Sequence, residues 1–408
     1  MSASRSLGLR SPEHRLLLGV ALFWMGLYLY VPVLTPVVTH ATGSAGVAGL
    51  VVASYGVPQL LSRLGLAIWS DRLGLRQPFI AGGLVLVAAS AVGMVAAPSA
   101  AGFLAFRTMA GLAASTWAMF SIQYAAWQPG ERVGAAMGRL SFANNGGQVL
   151  AALLGGLLAQ TVGDSAPFWA AGLAGLMGLA LVAGLGEPAR HAPAEPGTPL
   201  RQTWRRAAAG PAVLLASLLG ILLQATTFAT TFGYLPLWAA RHGVSPGGLG
   251  LLTAAALLPA AGASVVAGSW ASRRWSAATI LALGFALVGI ATGSTPWLGG
   301  GAGLFLAQLL AGAGRGFLTP TLMTLAVRNT EQRWRTSALA TYQSLYAVGM
   351  IGGPAVAGAL VGTWGLPHLF EAAGLTALLA AALANRLVPA ATRHGSPERR
   401  LVEDAVRG

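Results

Sequence analysis

The sequence has no cysteine among its 408 residues. That excludes disulfides, thiolate nucleophiles, cysteine-ligated zinc and iron–sulfur clusters. It has no lysine either, so all 25 basic residues are arginine, and only 11 residues are acidic. Charged residues make up 9% of the chain, against roughly 25% in a soluble domain. A chain this poor in charge cannot cover a water-facing surface and must lie mostly in lipid. The six histidines (His14, His40, His191, His242, His368 and His394) are scattered without metal-ligand spacing. No carboxylate pair sits in an otherwise soluble segment. No enzyme, metal or cofactor site is therefore expected.

What the sequence has in abundance is apolar residues, at 55%, and glycine, with 56 copies. About 20 apolar residues cross the hydrocarbon as a helix. Apolar runs between Arg, Pro and Gly punctuation predict twelve spans, at 15–38, 45–69, 77–97, 99–122, 133–160, 166–186, 210–238, 246–271, 276–296, 298–326, 336–362 and 367–388. The first run lacks a small-residue cleavage site before polar sequence, so it reads as an uncleaved helix and not a signal peptide.

The net charge of +14 raises nucleic acid as a partner, but the arginines alternate with the apolar runs and mark topology instead. With the N-terminus inside, one side holds Arg5, Arg10, Arg15, Arg72, Arg76, Arg132 and Arg139. It also holds Arg190, Arg201, Arg205 and Arg206 in the central loop, then Arg273, Arg274, Arg328, Arg333 and Arg335, and the arginines of the tail. The other side holds only Arg241. The expectation is a multi-pass protein of a bacterial-type cytoplasmic (inner) membrane with both termini in the cytoplasm. It divides into a bundle over 1–186, a Pro- and Arg-rich linker over 187–209, a second bundle over 210–388 and a polar tail over 389–408.

The two halves echo each other. Ala67-Ile-Trp-Ser-Asp71-Arg72 aligns with Gly268-Ser-Trp-Ala-Ser272-Arg273, and Arg107-x-x-x-Gly111 with Gln308-x-x-x-Gly312. Gly147-x-x-x-Ala151-Ala152-x-x-Gly155-Gly156 aligns with Gly349-x-x-x-Gly353-Pro354-x-x-Ala357-Gly358, and Tyr30-x-Pro32 with Tyr234-x-Pro236. Four matches in one order at nearly constant offset indicate duplicated halves, the usual build of a secondary transporter around a midplane site. The fold class expected is an all-α membrane protein, with twelve transmembrane helices in two pseudo-symmetric six-helix bundles.

On these residues the chain resembles the major facilitator superfamily over its whole length. The loop AIWSDRLGLR (67–76) is similar to the family signature G-x-x-x-D-R-x-G-R-R/K at Asp71, Arg72, Gly74 and Arg76, and departs from it at Ala67 and Leu75. The resemblance implies a cytoplasmic gate formed by Asp71, Arg72 and Arg76, with Arg273 in the second-half copy, where Ser272 replaces the acid. A carboxylate there can accept from a helix N-terminus and from Arg. The resemblance also implies alternating access of two bundles around a cavity.

Arg107 lies inside the fourth span, where a charge is costly and faces a cavity or a partner. Arg63 in the second span and Arg315 in the tenth are two further candidates. The resemblance makes the first, fourth, seventh and tenth helices line the cavity. The substrate-binding candidates are then Arg107, Arg315, Arg63, Trp24, Tyr28, Gln224, Thr227, Thr231 and Gln308, with Tyr342 and Tyr346 from the eleventh. Bland readings stand beside these: snorkelling for the arginines, bundle interior or interfacial belt for the aromatics.

Gly147, Gly155, Gly156, Gly349 and Gly353 suit close helix packing. Gly353-Pro354 matches the helix-bending pair of the family's antiporter motif, which Ala151-Ala152 lacks in the first half. Only Glu371 among the acidic residues enters a span, so the cavity reads as net positive, which favours an anionic, zwitterionic or amphipathic cargo. Proton coupling is left without an evident carrier: Asp71, Glu371 or one of His40, His242 and His368 would have to serve, or coupling is absent.

The expected function is a secondary transporter, leaning towards export of amphipathic or drug-like molecules, with a carrier for a small organic or lipid-like anion as the alternative. Its expected partners are a small-molecule substrate, membrane lipids and, if coupled, protons, with no nucleic acid, and the protein is expected to be a monomer. Asp71→Asn is expected to alter either the transport rate or the balance of inward- and outward-open states, followed by cysteine-accessibility labelling in this cysteine-free background. If neither changes, the gate assignment is wrong.

Overall fold

A computed structural model describes residues 11–128, 133–187, 210–299, 301–328, 330 and 335–393. Among them the chain forms no strand, one short helical turn at Thr295–Leu298 and twelve helical segments of 17 residues or more. They are α1 (Pro12–Thr42), α2 (45–73), α3 (Gln77–Ala96), α4 (100–126), α5 (Val133–Thr161), α6 (Ala166–Val182), α7 (Pro211–Arg241), α8 (Pro246–Arg274), α9 (Ala277–Gly293), α10 (Ala302–Val327), α11 (Arg335–Trp364) and α12 (Leu366–Arg393). Seven are long and apolar enough by length and composition to cross a membrane, and α6 and α9 are shorter apolar helices of 17 residues. Large apolar side chains such as Leu61, Phe142, Trp169 and Leu258 point outward, as they do when lipid is the solvent.

Several spans expected as straight runs are interrupted. α1 stops at Tyr28 and restarts at Val31, with Pro32 in the first turn of the new helix. Proline there costs nothing, because its missing N–H is one that a helix start leaves unpaired. α7 holds a π-turn over Thr230–Tyr234, just before Pro236. The Tyr-x-Pro echo in the sequence thus falls on the interruption in both halves. α2 breaks at Tyr55 and α4 at Thr116, and α8 carries a π-turn over Ala267–Ala271.

The chain divides into two compact units, one of residues 1–196 with 239–254 and one of residues 197–238 with 255–408. In the first, α1 packs on α5 and α6, and α3 on α4 and α6. A Cβ at Gly155 would lie 1.7 Å from the Leu29 carbonyl oxygen, and one at Gly147 2.4 Å from that of Ala21. The backbones of α5 and α1 therefore touch, which only glycine allows. Segment 239–254 joins this unit through a second such contact: a Cβ at Gly156 would meet Gly250 Cα at 2.8 Å. Nearby, Gln160 Oε1 accepts from the Gly247 N–H at 3.0 Å.

The second unit repeats the scheme. α11 lies on α7 through Gly349 and Gly353, whose Cβ atoms would stand 2.1 Å from Ile221 O and 2.3 Å from Ala225 O. Its core is Leu219, Leu223, Leu281, Phe285, Leu318 and Leu322, with Tyr342 buried among them. Lipid tails are as apolar as leucine, so such bundles are held by close van der Waals contact more than by a hydrophobic drive. Gly353→Ala is expected to cost about 1–3 kcal/mol, the usual range for overpacking. The neighbouring Gly352, whose Cβ would meet nothing within 4 Å, is expected to accept alanine without loss. Thermal unfolding of the two purified variants checks the contrast.

Candidate functional site

In the first unit the site is built around Arg107. Ser99 starts α4 by accepting from the Gly102 N–H at 3.2 Å. Arg107 then stands about 10 Å along the helix at 1.5 Å per residue. It is 4% exposed. One terminal nitrogen donates to the Tyr30 hydroxyl at 2.9 Å, from the interruption of α1. The guanidinium carbon lies 4.3 Å from the centroid of the Tyr55 ring and 5.4 Å from that of Tyr30. Tyr30 is itself stacked on Phe168 at 4.9 Å. The Arg107 Nε–H is buried with no hydrogen-bond partner.

The motif spacing has a physical cause. Gly111, one turn beyond Arg107, approaches the break in α2 so closely that a Cβ would sit 2.2 Å from the Tyr55 carbonyl oxygen. That approach brings the Tyr55 ring over the guanidinium. A desolvated cation–π contact is worth about 2 kcal/mol.

Arg63 is tied into the same region. It donates to Gln59 Oε1 at 2.6 Å, and Gln59 Nε2 donates to Tyr55 O at 3.1 Å. Tyr55, Gln59 and Arg63 thus form a ladder with one rung per turn. Beside it, Trp24 packs against Tyr28 at 6.0 Å and Trp117 at 5.4 Å, with its indole N–H buried and without an acceptor.

In the second unit Arg315 lies at the middle of α10, about 20 Å from Ala302 at the helical rise. It donates to Thr231 Oγ1 at 3.0 Å and to the Ala256 carbonyl at 3.3 Å. Thr231 in turn donates to Gln308 Oε1 at 3.5 Å. The small residues of the AGAGRG run make this reach possible: a Cβ at Gly312 would lie 2.4 Å from that same Ala256 oxygen. Thr231 is presented by the π-turn of α7, a distortion that recurs at functional sites.

The remaining candidates are placed as follows. Thr227 is buried with its hydroxyl unpartnered, and Gln224 is half-buried on the same helix. Tyr342 fills the core beside Gly220 and packs edge-on to Tyr346 at 5.4 Å. So Arg107 and Arg63 share a region through the Tyr55 ladder, and Arg315, Thr231 and Gln308 form one hydrogen-bonded chain.

For the gate, the side chains of Asp71 and Arg72 lie outside the described residues, and Arg273 is exposed at the end of α8. The carboxylate found at the start of α3 is Glu187. It accepts from the Arg76 N–H at 2.9 and 3.0 Å and from the Gln77 N–H at 2.7 Å. Gln77 and Gln123 bind the neighbouring carbonyls of Val182 and Gly186, and Arg15 donates to Leu181 O and Ala183 O at 2.8 and 2.6 Å. This end of α6 is thereby fastened to α1, α3 and α4.

Sequence reading missed Tyr30, Tyr55, Trp117 and Glu187 as contributors. The repeated Tyr-x-Pro was a usable signal for the first, and the acid just ahead of the polar linker for the last.

The Major Facilitator Superfamily model matches residues 16–246 and again 217–407. The chain belongs to this superfamily. No curated protein matches it. Among solved structures, a bacterial homologue of the human lysosomal transporter Spinster, in an inward-facing and unoccupied conformation, matches with a TM-score of 0.79 at 18% identity, over 96% of this chain and 100% of that one. The nucleoside transporter NupG gives 0.76 at 12% identity over 93% and 100%. The human organic anion transporter MFSD10 gives 0.62 at 19% identity over 92% and 100%. At such identities the likeness shows the fold. This major facilitator protein is a multi-pass membrane transporter of all-α build and not an enzyme.

Glu187→Ala removes the acceptor of the α3 N-terminus and is expected to cost about 1–2 kcal/mol, in the range of a lost helix cap. Glu187→Asp should recover part of it. An unchanged unfolding midpoint for Glu187→Ala would show that the contact holds nothing.

Proposed function

We propose that the protein is a secondary active transporter, working by alternating access, that exports amphipathic, drug-like small molecules and favours those with a negative charge. The observation that carries this reading is Arg107. It is a buried cation at membrane depth whose described contacts are a phenol hydroxyl and two aromatic rings, with one N–H left unpartnered. A charge so placed is expensive and marks a functional site by default. The sequence holds no Asp or Glu between Asp71 and Glu131, or between Glu195 and Glu331. Spans α3, α4 and α7 to α10 therefore contain no carboxylate, and a cationic cargo has no counter-charge there. Arg315, held by Thr231 and Ala256, adds a second cation of the same sign in the other unit.

The aromatic group of Trp24, Tyr28 and Trp117 supplies apolar contact of the kind that tolerates varied molecules. Export is supported by Gly353-Pro354, the pair that resembles the family's antiporter motif. For a coupled proton, the pair His368 and Glu371, 3.0 Å apart on α12, is one acid–base group among the described residues. The protein acts as a monomer in the cytoplasmic membrane, with both termini inside, as its arginine distribution supports.

A carrier of small organic anions is the second reading. The Tyr55–Gln59–Arg63 ladder favours it, since it puts another arginine within the same region.

The test is transport in proteoliposomes under an imposed pH gradient, with an amphipathic organic anion and a lipophilic cation offered in parallel. Movement of the anion, at least tenfold faster than the cation, is expected. Gradient-driven movement of the cation alone would overturn the charge preference.

A further inference from the structure

A cavity of about 610 Å³ opens in the second unit, away from Arg315. Its wall runs from the π-turn of α8 (Ala267, Gly268, Ser272) through the start of α9 (Ser276, Ala278) to Thr324 and Arg328 on α10 and Val388 on α12. The deep side is apolar: Ala267, Ala278, Ile280, Leu325 and Val388 are all buried. The rim is polar and exposed at Ser272, Ser276, Thr324 and Arg328.

Three further facts set the character of this rim. First, among the described lining residues the charge is of one sign. Arg328 is among the lining residues, and Arg273 and Arg274 stand in the chain between the lining residues Ser272 and Trp275. No acidic residue occurs anywhere from 196 to 330. Where the first-half copy of the loop has Asp71, this one has Ser272, so the group that would repel an anion is missing. Second, the rim carries the marks of a membrane interface. Trp270 and Trp275 are both exposed, their rings 5.3 Å apart, and the Arg274 guanidinium sits 5.1 Å over Trp270. Tryptophan and arginine gather at headgroup level. Third, the wall is open at its exposed edge: a Cβ on Gly268, a lining residue, would meet nothing within 4 Å.

We propose that this cavity is a binding site for an anionic phospholipid, with the phosphate at the arginine rim and the upper methylenes of one acyl chain against Ala278, Ile280, Leu325 and Val388. A free phosphate would satisfy the rim but leave the apolar wall uncovered. A zwitterionic lipid would cover the wall but bring its own cation to a rim that is already positive. Only an anionic lipid matches both. The site is independent of the cargo reading above, because none of its residues touches Arg107 or Arg315 in the described contacts.

The test is native mass spectrometry of the intact transporter, released from nanodiscs containing equal parts phosphatidylglycerol and phosphatidylcholine. The expected result is preferential retention of phosphatidylglycerol. Arg328→Gln should lower it about fivefold, the factor that one basic residue near a membrane surface contributes. Gly268→Leu should lower it at least as much by narrowing the cavity at its edge, with the unfolding midpoint unchanged. Inorganic phosphate at millimolar concentration should not displace the lipid. Equal retention of the two lipids would overturn the proposal, as would retention indifferent to both variants. Displacement by phosphate alone would reduce the site to a simple anion site and overturn the lipid assignment.

Discussion

Two guanidinium groups, those of Arg107 and Arg315, are buried among apolar helices, and much of this structure is arranged around them. Arginine cannot shed its charge, so its buried donors call for partners from the protein. Regular helices cannot meet them, because their backbone groups are already paired. In the first unit the solution is the interrupted α1 and α2: Tyr30 and Tyr55 stand at the two breaks, and both are turned on Arg107. In the second unit the π-turn of α7 presents Thr231 to Arg315, and close approach of α10 to α8 brings the Ala256 carbonyl within reach. The irregular backbone and the buried cations are therefore two aspects of one arrangement.

Close approach is the second constraint, and glycine supplies it. The pairs α1 with α5 and α7 with α11 use the same device, small residues at which one helix lies directly on another's carbonyl oxygens. This gives each unit a stiff pair of helices whose backbones touch, while the polar side chains sit where helices are broken. A transporter needs both properties. Rigid bodies can move as units, and weakened helices supply the places where a cargo's polar groups find partners.

Much of this was legible in the sequence because membrane proteins carry simple rules. The twelve spans followed from apolar runs, and all twelve expected runs fall on helices. The duplication followed from offsets near 201, and the repeated glycines Gly111 with Gly312 and Gly147 with Gly349 are positions at which helices touch. The interruptions were less legible. Proline at 32, 58 and 236 announced three of them, each by removing the N–H that the carbonyl four residues earlier would bind, whereas the break at Thr116 has no proline near it. Glu187 was hidden for a different reason. A single acid beside a polar linker looks like solvated loop, and only the fold shows that Glu187 lies at the start of α3. Tyr342 illustrates the opposite case: an aromatic residue in a plausible cavity register that sits in the packed core beside Gly220.

If Arg107 is kept for its cargo, it is kept at the expense of stability, since replacing a buried charge by an apolar group of similar volume is often neutral or stabilising. The decisive measurement is the unfolding midpoint of Arg107→Met beside its rate of organic-anion transport. The prediction is a midpoint equal to or above that of the parent, with transport reduced at least a hundredfold. A midpoint that falls together with activity would make Arg107 a structural pillar, and undiminished transport would remove it from the mechanism.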